Sequence, residues 1–428
     1  MSKRHIAVVG AGMAAARFAE RYSALGGEAR VTLYGSEPRA PYNRVLLADV
    51  LTGRYDAEAI TLPVGDAVLR PGAEVVALDL GARVLTLVDG GTEAYDELVL
   101  ATGANPVLPP IRRLRREDGG GPREGVHALR TLADCARLAE EAMDAKRAVV
   151  VGGGVLGVSV ARALAALGPQ VEIVHQGPHL IERQLDEDAA TALREALRTL
   201  GVEVYLGNRA RALTEAGEVE LADGYRLSTD LTVLACGVRP RTALAHAAGL
   251  AVGRGVLVDD TLAASPAHAS TPHGSAPHGS ALEAPTPTPH VFAIGDCAEH
   301  AGVVHGLAGP AWEQADVLAA RLSGADPEAR YTGSRPLARL SAGPIEYAAF
   351  GEVHADAEAD VLRLTDATRG SYKKLVMRGD RLVGAILLGD LATVGDLARA
   401  LARDASLPET PLHLLTQHLL TTTLGASR

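Results

Sequence analysis

VVVGGGVLGVSVARAL, residues 149–164, decides how the rest of this chain is read. Three valines run into Gly152, Gly154 and Gly157, and an alanine-rich helical pattern follows at once. A strand, a G-x-G-x-x-G turn and a helix start in immediate succession make the fingerprint of a pyrophosphate site. The first glycine permits the tight turn, the second lets the backbone approach the phosphates, and the third lets the helix pack close to the strand. The helix N-terminus then offers unpaired N–H groups and a partial positive charge to the anion. Gly-rich strand-to-helix turns also occur as plain packing solutions, so the weight of this one comes from a companion.

The companion opens the chain. Residues 6–9, Gly10, Gly12 and Ala15 repeat the same logic ahead of ARFAERYSAL, with Ala15 in the third position, where a small residue is permitted. A second strand, residues 30–34, leads to Glu37, the nearest carboxylate able to accept hydrogen bonds from ribose hydroxyls; the alternative is an exposed loop glutamate. Pro41, Tyr42 and Arg44 then supply a stiff turn, a stacking surface and a phosphate partner, residues that any surface turn can also carry. The strand in YDELVLATG ends at Ala101, Thr102 and Gly103, and the apolar strand at 230–235 ends similarly at Cys236 and Gly237. Such endings bring backbone close to a cofactor or to another strand. In the second copy the strand at 171–174 ends at His175 instead of an acidic residue. A carboxylate there would accept the 2′-hydroxyl of NADH and repel the 2′-phosphate of NADPH, so binding is expected with neither nicotinamide form strongly selected.

Composition bounds the partners. The chain has 428 residues, enough for more than one domain, and its cores must be Ala, Val and Leu because aromatics make up 3%. A formal charge of -10 argues against nucleic-acid binding, which needs a surplus of Lys and Arg. Cys135, Cys236 and Cys297 are scattered, so neither a disulfide framework nor a metal or iron–sulfur site is encoded, and a reducing compartment fits. No run approaches the about 18 apolar residues of a membrane span, and no signal-peptide pattern is present. A cytoplasmic protein without membrane or nucleic-acid partners is expected.

Further along, residues 131–143 and 186–200 have helical spacing, and Asp223-Gly224 predicts a hairpin over 218–227. Residues 265–289 are rich in Pro, Ser, Thr and His, repeat HGSA, and read as a disordered surface insertion to which no metal site is assigned. A short buried strand then ends at Gly295-Asp296, a carboxylate presented to a hydroxylated ligand. Pro310 stands at the first position of a helix that carries Trp312 and Glu313. Beyond residue 331 the pattern changes to alternating strands at 345–353, 360–365, 372–378 and 381–388, followed by a helix at 394–402. No cluster of catalytic residue types occurs there, so support, dimerisation or partner docking is expected of it.

With both fingerprints, the ATG strand end, VRP at 238–240 and IGD at 294–296 in this order, the chain resembles the two-dinucleotide flavoprotein reductases. YNRVLL at 42–47, HLIERQLD at 179–186, GLAGPAWEQA at 306–315 and LVGAILLGD at 382–390 make it similar to the flavin half of the assimilatory NAD(P)H nitrite reductase large subunit and the nitrate reductase electron-transfer subunit. The resemblance implies an α/β fold with two Rossmann-like domains, the second inserted in the first, and a C-terminal α+β domain. It implies an FAD domain at 1–120 and 238–325, an NAD(P)H domain at 121–237 and an interface domain at 326–428. By the same resemblance, Gly10, Gly12, Ala15 and Glu37 surround the FAD adenosine and pyrophosphate. Arg44 meets the pyrophosphate, Gly295 and Asp296 the ribitol, and Trp312 and Glu313 lie near the isoalloxazine. Gly152, Gly154 and Gly157 lie under the NADH or NADPH pyrophosphate.

The departures matter equally. Complete nitrite reductase large subunits continue into cysteine-rich cluster and sirohaem domains, whereas this chain carries three scattered cysteines, so it is not expected to reduce nitrite by itself. Redox cysteines of related disulfide reductases lie on the early helix, and here no cysteine precedes Cys135. Electrons are therefore expected to pass from NAD(P)H to FAD and on to a separate iron–sulfur or haem protein, with a homodimer as a possible assembly. The alternatives are a ferredoxin or rubredoxin reductase of a biosynthetic pathway, and a non-catalytic FAD-binding redox sensor.

Overall fold

The computed structural model describes residues 3–118, 120–267, 288, 290–335, 337–342, 345–366, 368–407 and 411–415. The insertion expected over 265–289 lies outside the described residues except for 265–267 and 288. The chain forms two units: residues 1–45, 57–105 and 238–334, and residues 46–56, 106–237 and 335–428.

In the first unit five parallel strands form one sheet, in the order Val291–Ala293, Glu97–Leu100, His5–Val9, Arg30–Gly35, Val68–Pro71. His5–Val9 is buried along its whole length, as a strand must be when both faces of a parallel sheet are covered. One cover is the helix Met13–Ala24, whose Ala15, Phe18, Ala19 and Tyr22 face inward. It packs on the helix Ala308–Ser323, and the buried Ala311, Ala315 and Ala319 allow that close approach. At the rim Arg17 grips Asp316 through two hydrogen bonds of 2.7 and 2.9 Å. A small antiparallel sheet of Val75–Asp79, Val84–Leu87 and Thr92–Ala94 completes this part, and sequence periodicity had not revealed it.

The second unit repeats the parallel sheet with strands of its own: Val202–Tyr205, Gln170–Val174, Arg147–Val151, Leu231–Leu234, Val126–Ala128. The helix Val155–Leu167 follows the central strand, as Met13–Ala24 does in the first unit. Thr131 and Asp134 form a capping box that starts the helix Leu132–Asp144. The hairpin forms as expected, with Glu218–Leu221 antiparallel to Arg226–Ser228. Residues 46–56 also belong here: Asp49 lies 3.4 Å from the buried Arg162 of the helix Val155–Leu167.

The C-terminal part is an antiparallel sheet in the order Leu337–Ala342, Ile345–Gly351, Arg381–Leu388, Ser371–Arg378, Asp360–Asp366, with the helix Val394–Ala402 on it. The first of these strands was not anticipated. The fold is thus α/β with two Rossmann-like sheets and a C-terminal α+β part. No helix among the described residues is long and apolar enough to cross a membrane.

Candidate functional site

The two glycine turns match bond for bond. Gly10 N–H donates to Tyr34 O and Gly152 N–H donates to Val174 O, each at 2.8 Å. Ala101 N–H donates to Val9 O at 2.9 Å, and Ala235 N–H to Val151 O at 2.8 Å. Gly10 has φ +113 and Gly152 φ +115, the left-handed side that a side chain resists. A Cβ on Gly10 would stand 2.2 Å from Ala101 O, and one on Gly152 would stand 2.3 Å from Ala235 O. The first glycine of each turn is therefore required by the neighbouring strand end. Thr102, Gly103, Cys236 and Gly237 continue those ends, and the Thr102 hydroxyl donates to Arg241 O at 2.8 Å.

The second glycines are not required by packing. A Cβ on Gly12 or Gly154 would find nothing within 4 Å beyond its own stretch of chain. Both cap helices that have no side-chain cap and no acidic residue in the first turn. Helix N-termini left this way present their free N–H groups to an anion, so both turns fit a pyrophosphate. The third positions differ: Ala15 is fully buried, while a Cβ on Gly157 would fall 1.9 Å from Gly152 O.

Around the first turn the structure brings Glu37, Tyr42 and Arg44 together. The Tyr42 hydroxyl donates to Glu37 Oε2 at 2.7 Å, Arg44 donates to Glu37 Oε1, and the Arg44 guanidinium lies 4.9 Å from the Tyr42 ring centroid. The expected ribose acceptor and the expected phosphate partner are thus one ion pair. Gly295-Asp296 sits directly against the first helix, since a Cβ on Gly295 would stand 2.9 Å from the Ala14 methyl. What holds that turn was missed in the sequence. The buried Gln314 side chain accepts from Gly295 N–H at 2.7 Å, and a lone polar residue on the inner face of an alanine-rich helix was the available signal. Trp312 is half-buried, and Glu313 is exposed and accepts from the Ser334 hydroxyl.

Around the second turn His175 belongs to the glycine loop itself, because Gly153 N–H donates to its Nδ1 at 3.1 Å. Burial pushes its pKa down, against the pull of the Glu182 carboxylate. The cysteines are packed thiols. Burial raises Cys135 and Cys236 to about 11 and also raises Cys297, whose Sγ donates to Ile294 O. Thiolates, the reactive form, are therefore scarce at neutral pH.

Residues 4–315 match the family model of the pyridine nucleotide-disulphide oxidoreductases, and residues 336–405 match the rubredoxin NAD+ reductase C-terminal domain. The nitrite reductase [NAD(P)H] of Bacillus subtilis is 33% identical over 420 residues, covering 96% of this chain and 48% of that protein. The assimilatory nitrate reductase electron transfer subunit of the same organism is 32% identical over 400 residues, covering 91% and 48%. A crystal structure of a ferredoxin reductase from Rhodopseudomonas palustris superposes with a TM-score of 0.79 at 25% identity and 96% coverage of both chains. The chain spans about half the length of the two curated relatives, at 48% of each.

Proposed function

Because the chain belongs to the pyridine nucleotide-disulphide oxidoreductase family, we propose that it carries electrons from NADH or NADPH through FAD to a separate iron–sulfur or haem protein, as a component of nitrite or nitrate assimilation. It is an oxidoreductase, and its cofactors are FAD and NADH or NADPH. The observation that carries the reading is the pair of matched glycine turns, each with an uncapped helix start and open space over its second glycine.

The first turn would hold the FAD pyrophosphate on Gly10, Gly12 and Ala15. Glu37 would turn to the adenosine ribose, which frees Arg44 to meet phosphate with its guanidinium fork. Gln314 fixes the Gly295 backbone, and Asp296, next in sequence, would meet the ribitol hydroxyls. The uncapped start of the helix Ala308–Ser323 would place a partial positive charge near the ring, stabilising negative charge there. Trp312 and Glu313 lie on the second turn of that helix and would border the ring. The second turn would hold the nicotinamide dinucleotide on Gly152, Gly154 and Gly157. The chemistry supplied by bound FAD is acceptance of a hydride from the nicotinamide and release of its two electrons singly, with one proton returned to solvent. No acid or base from the chain is needed for the hydride step.

The proposed division is residues 1–120 with 238–325 for FAD, 121–237 for NAD(P)H, and 326–428 for acceptor docking, support or pairing of two copies. Cytoplasmic location belongs to the same reading, supported by three free cysteines. A ferredoxin or rubredoxin reductase serving another pathway is the second reading, favoured by the match of residues 336–405. Anaerobic titration of the flavoprotein with NADH and with NADPH tests the core of the proposal. Bleaching of the flavin absorbance is expected, and a flavin that neither nucleotide bleaches would return the non-catalytic sensor. Reduction of rubredoxin, ferredoxin or a sirohaem protein by the bleached enzyme then separates the two acceptor readings.

A further inference from the structure

The strand Gln170–Val174 ends without the carboxylate that usually reads the adenosine ribose, and a different carboxylate stands over that end. His175 is tied to the glycine loop, with Nδ1 accepting from Gly153 N–H at 3.1 Å. That bond fixes the ring proton on Nε2, which is buried, has no hydrogen-bond partner, and lies 3.7 Å from Glu182 Oε2. The chain reaches Glu182 through Ile181, a β-branched residue held at φ +52, where such residues are outliers. Ile181 N–H donates to Gly153 O at 2.9 Å, so the return of the chain is tied to the same glycine loop. The His354 ring fastens the Glu182 backbone carbonyl at 3.0 Å.

Gly177 supplies the clearest sign. A Cβ there would stand 1.9 Å from Glu182 Oε2 and 2.8 Å from His175 Nε2. The carboxylate thus occupies the space that any other residue at 177 would fill with its own side chain. It remains 44% exposed, open on one side to solvent.

We propose that Glu182 is the ribose-reading residue of the nicotinamide site: it takes, from a later segment, the place of the acid missing at position 175, accepts the adenosine 2′-hydroxyl, and selects NADH over NADPH. The inference rests on the proposed use of the second glycine turn for the nicotinamide dinucleotide. A neutral imidazole beside it leaves the carboxylate charge uncompensated, and burial keeps His175 on that neutral side. A 2′-phosphate brought to the same place would meet like charge, the repulsive half of a specificity device.

Dissociation constants of NAD+ and NADP+ for the oxidised flavoprotein, measured by calorimetry, test this without turnover. The wild type is expected to favour NAD+ by about tenfold or more. Glu182→Gln should shrink that ratio at least about fivefold, chiefly by tightening NADP+. Gly177→Ala should shrink it too, because the new methyl displaces the carboxylate without removing it. A wild type that binds NADP+ equally or better, or a ratio that both variants leave unchanged, overturns the assignment of Glu182. If NADH still bleaches the flavin, that failure leaves the electron-transfer reading standing. Loss of binding for every nucleotide in the wild type sinks both.

Discussion

Gly152 and Ala235 stand so close that a Cβ on the glycine would lie 2.3 Å from the alanine carbonyl oxygen, and Gly10 and Ala101 repeat the relationship at 2.2 Å. The same substitution therefore strains both turns equally, while the proposed ligands make its consequences differ. A side chain at such a φ costs about 1–3 kcal/mol before any clash is counted. Gly10→Ala is expected to yield protein that does not retain FAD. Gly152→Ala is expected to keep its flavin spectrum and lose about 100-fold or more in the rate of flavin reduction by NADH. Flavin content and stopped-flow bleaching check both, and a Gly152→Ala protein that lost flavin while Gly10→Ala kept it would reverse the assignment of the turns.

Gln314 accepts from the buried Gly295 N–H, and it does so from a helix 19 residues further on. Gln314→Leu keeps the volume and leaves that donor unpaired in the core, a loss of about 1–3 kcal/mol. With Asp296 next in sequence, the loosened turn should raise the FAD dissociation constant by about tenfold. Equilibrium dialysis of the flavin measures this, and unchanged retention would mean that the Gly295-Asp296 turn is held by other contacts.

What the sequence made legible was local. Glycine spacing fixes a strand-to-helix turn within six residues, so both fingerprints were readable, as was the Asp223-Gly224 hairpin, where Gly224 adopts φ +89. The strands after residue 345 were readable in position, although Ser371–Arg378 and Arg381–Leu388 are buried almost throughout, with no alternation between a covered and an open face. Gln314, Glu182 and the Asp49–Arg162 pair were not, because each acts on a residue that only the fold brings near. His175 shows the difference in one residue. Its sequence position suggested a place beside the ribose, and only the fold shows that its ring also accepts from the Gly153 N–H of the glycine loop.

Cys297 follows Asp296 directly, so a thiol step beside the flavin would be tempting to invoke. The side chain is fully buried, its Sγ donates to backbone, and burial pushes the thiol up from its ordinary value. Cys297→Ala is expected to keep the rate of flavin reduction within about twofold, the scale of a modest packing change. Iodoacetamide at neutral pH should leave Cys297 unmodified in the native protein, as mass spectrometry of the digested chain would read. Rapid alkylation, or loss of reduction in the alanine variant, would bring a thiol back into the mechanism.

Asp186 joins the helix Glu187–Thr199 to the C-terminal sheet. Its Oδ1 caps Glu187–Thr199 by accepting from Ala189 N–H at 3.0 Å, while Oδ2 accepts from Lys374 Nζ and from the Tyr372 hydroxyl, each at 2.8 Å. Lys374 is buried and donates to Val353 O as well. Burial alone would raise the Asp186 pKa, but the ammonium, the Ala189 N–H and the tyrosine outweigh it and hold the carboxyl below its ordinary value. A folded-state pKa depressed in this way adds stability that is fully present above the unfolded value near about 3.9 and is lost as pH falls through the folded value. Lys374→Met removes the cation and leaves the half-buried carboxylate with burial less opposed, so its folded-state pKa rises. Breaking a buried pair from one side costs about 3–5 kcal/mol. The variant is expected to unfold at lower denaturant concentration at pH 7 and to begin acid unfolding at higher pH than the wild type, both followed by near-ultraviolet circular dichroism. Acid unfolding curves that coincide would show that Asp186 acts only as a helix cap.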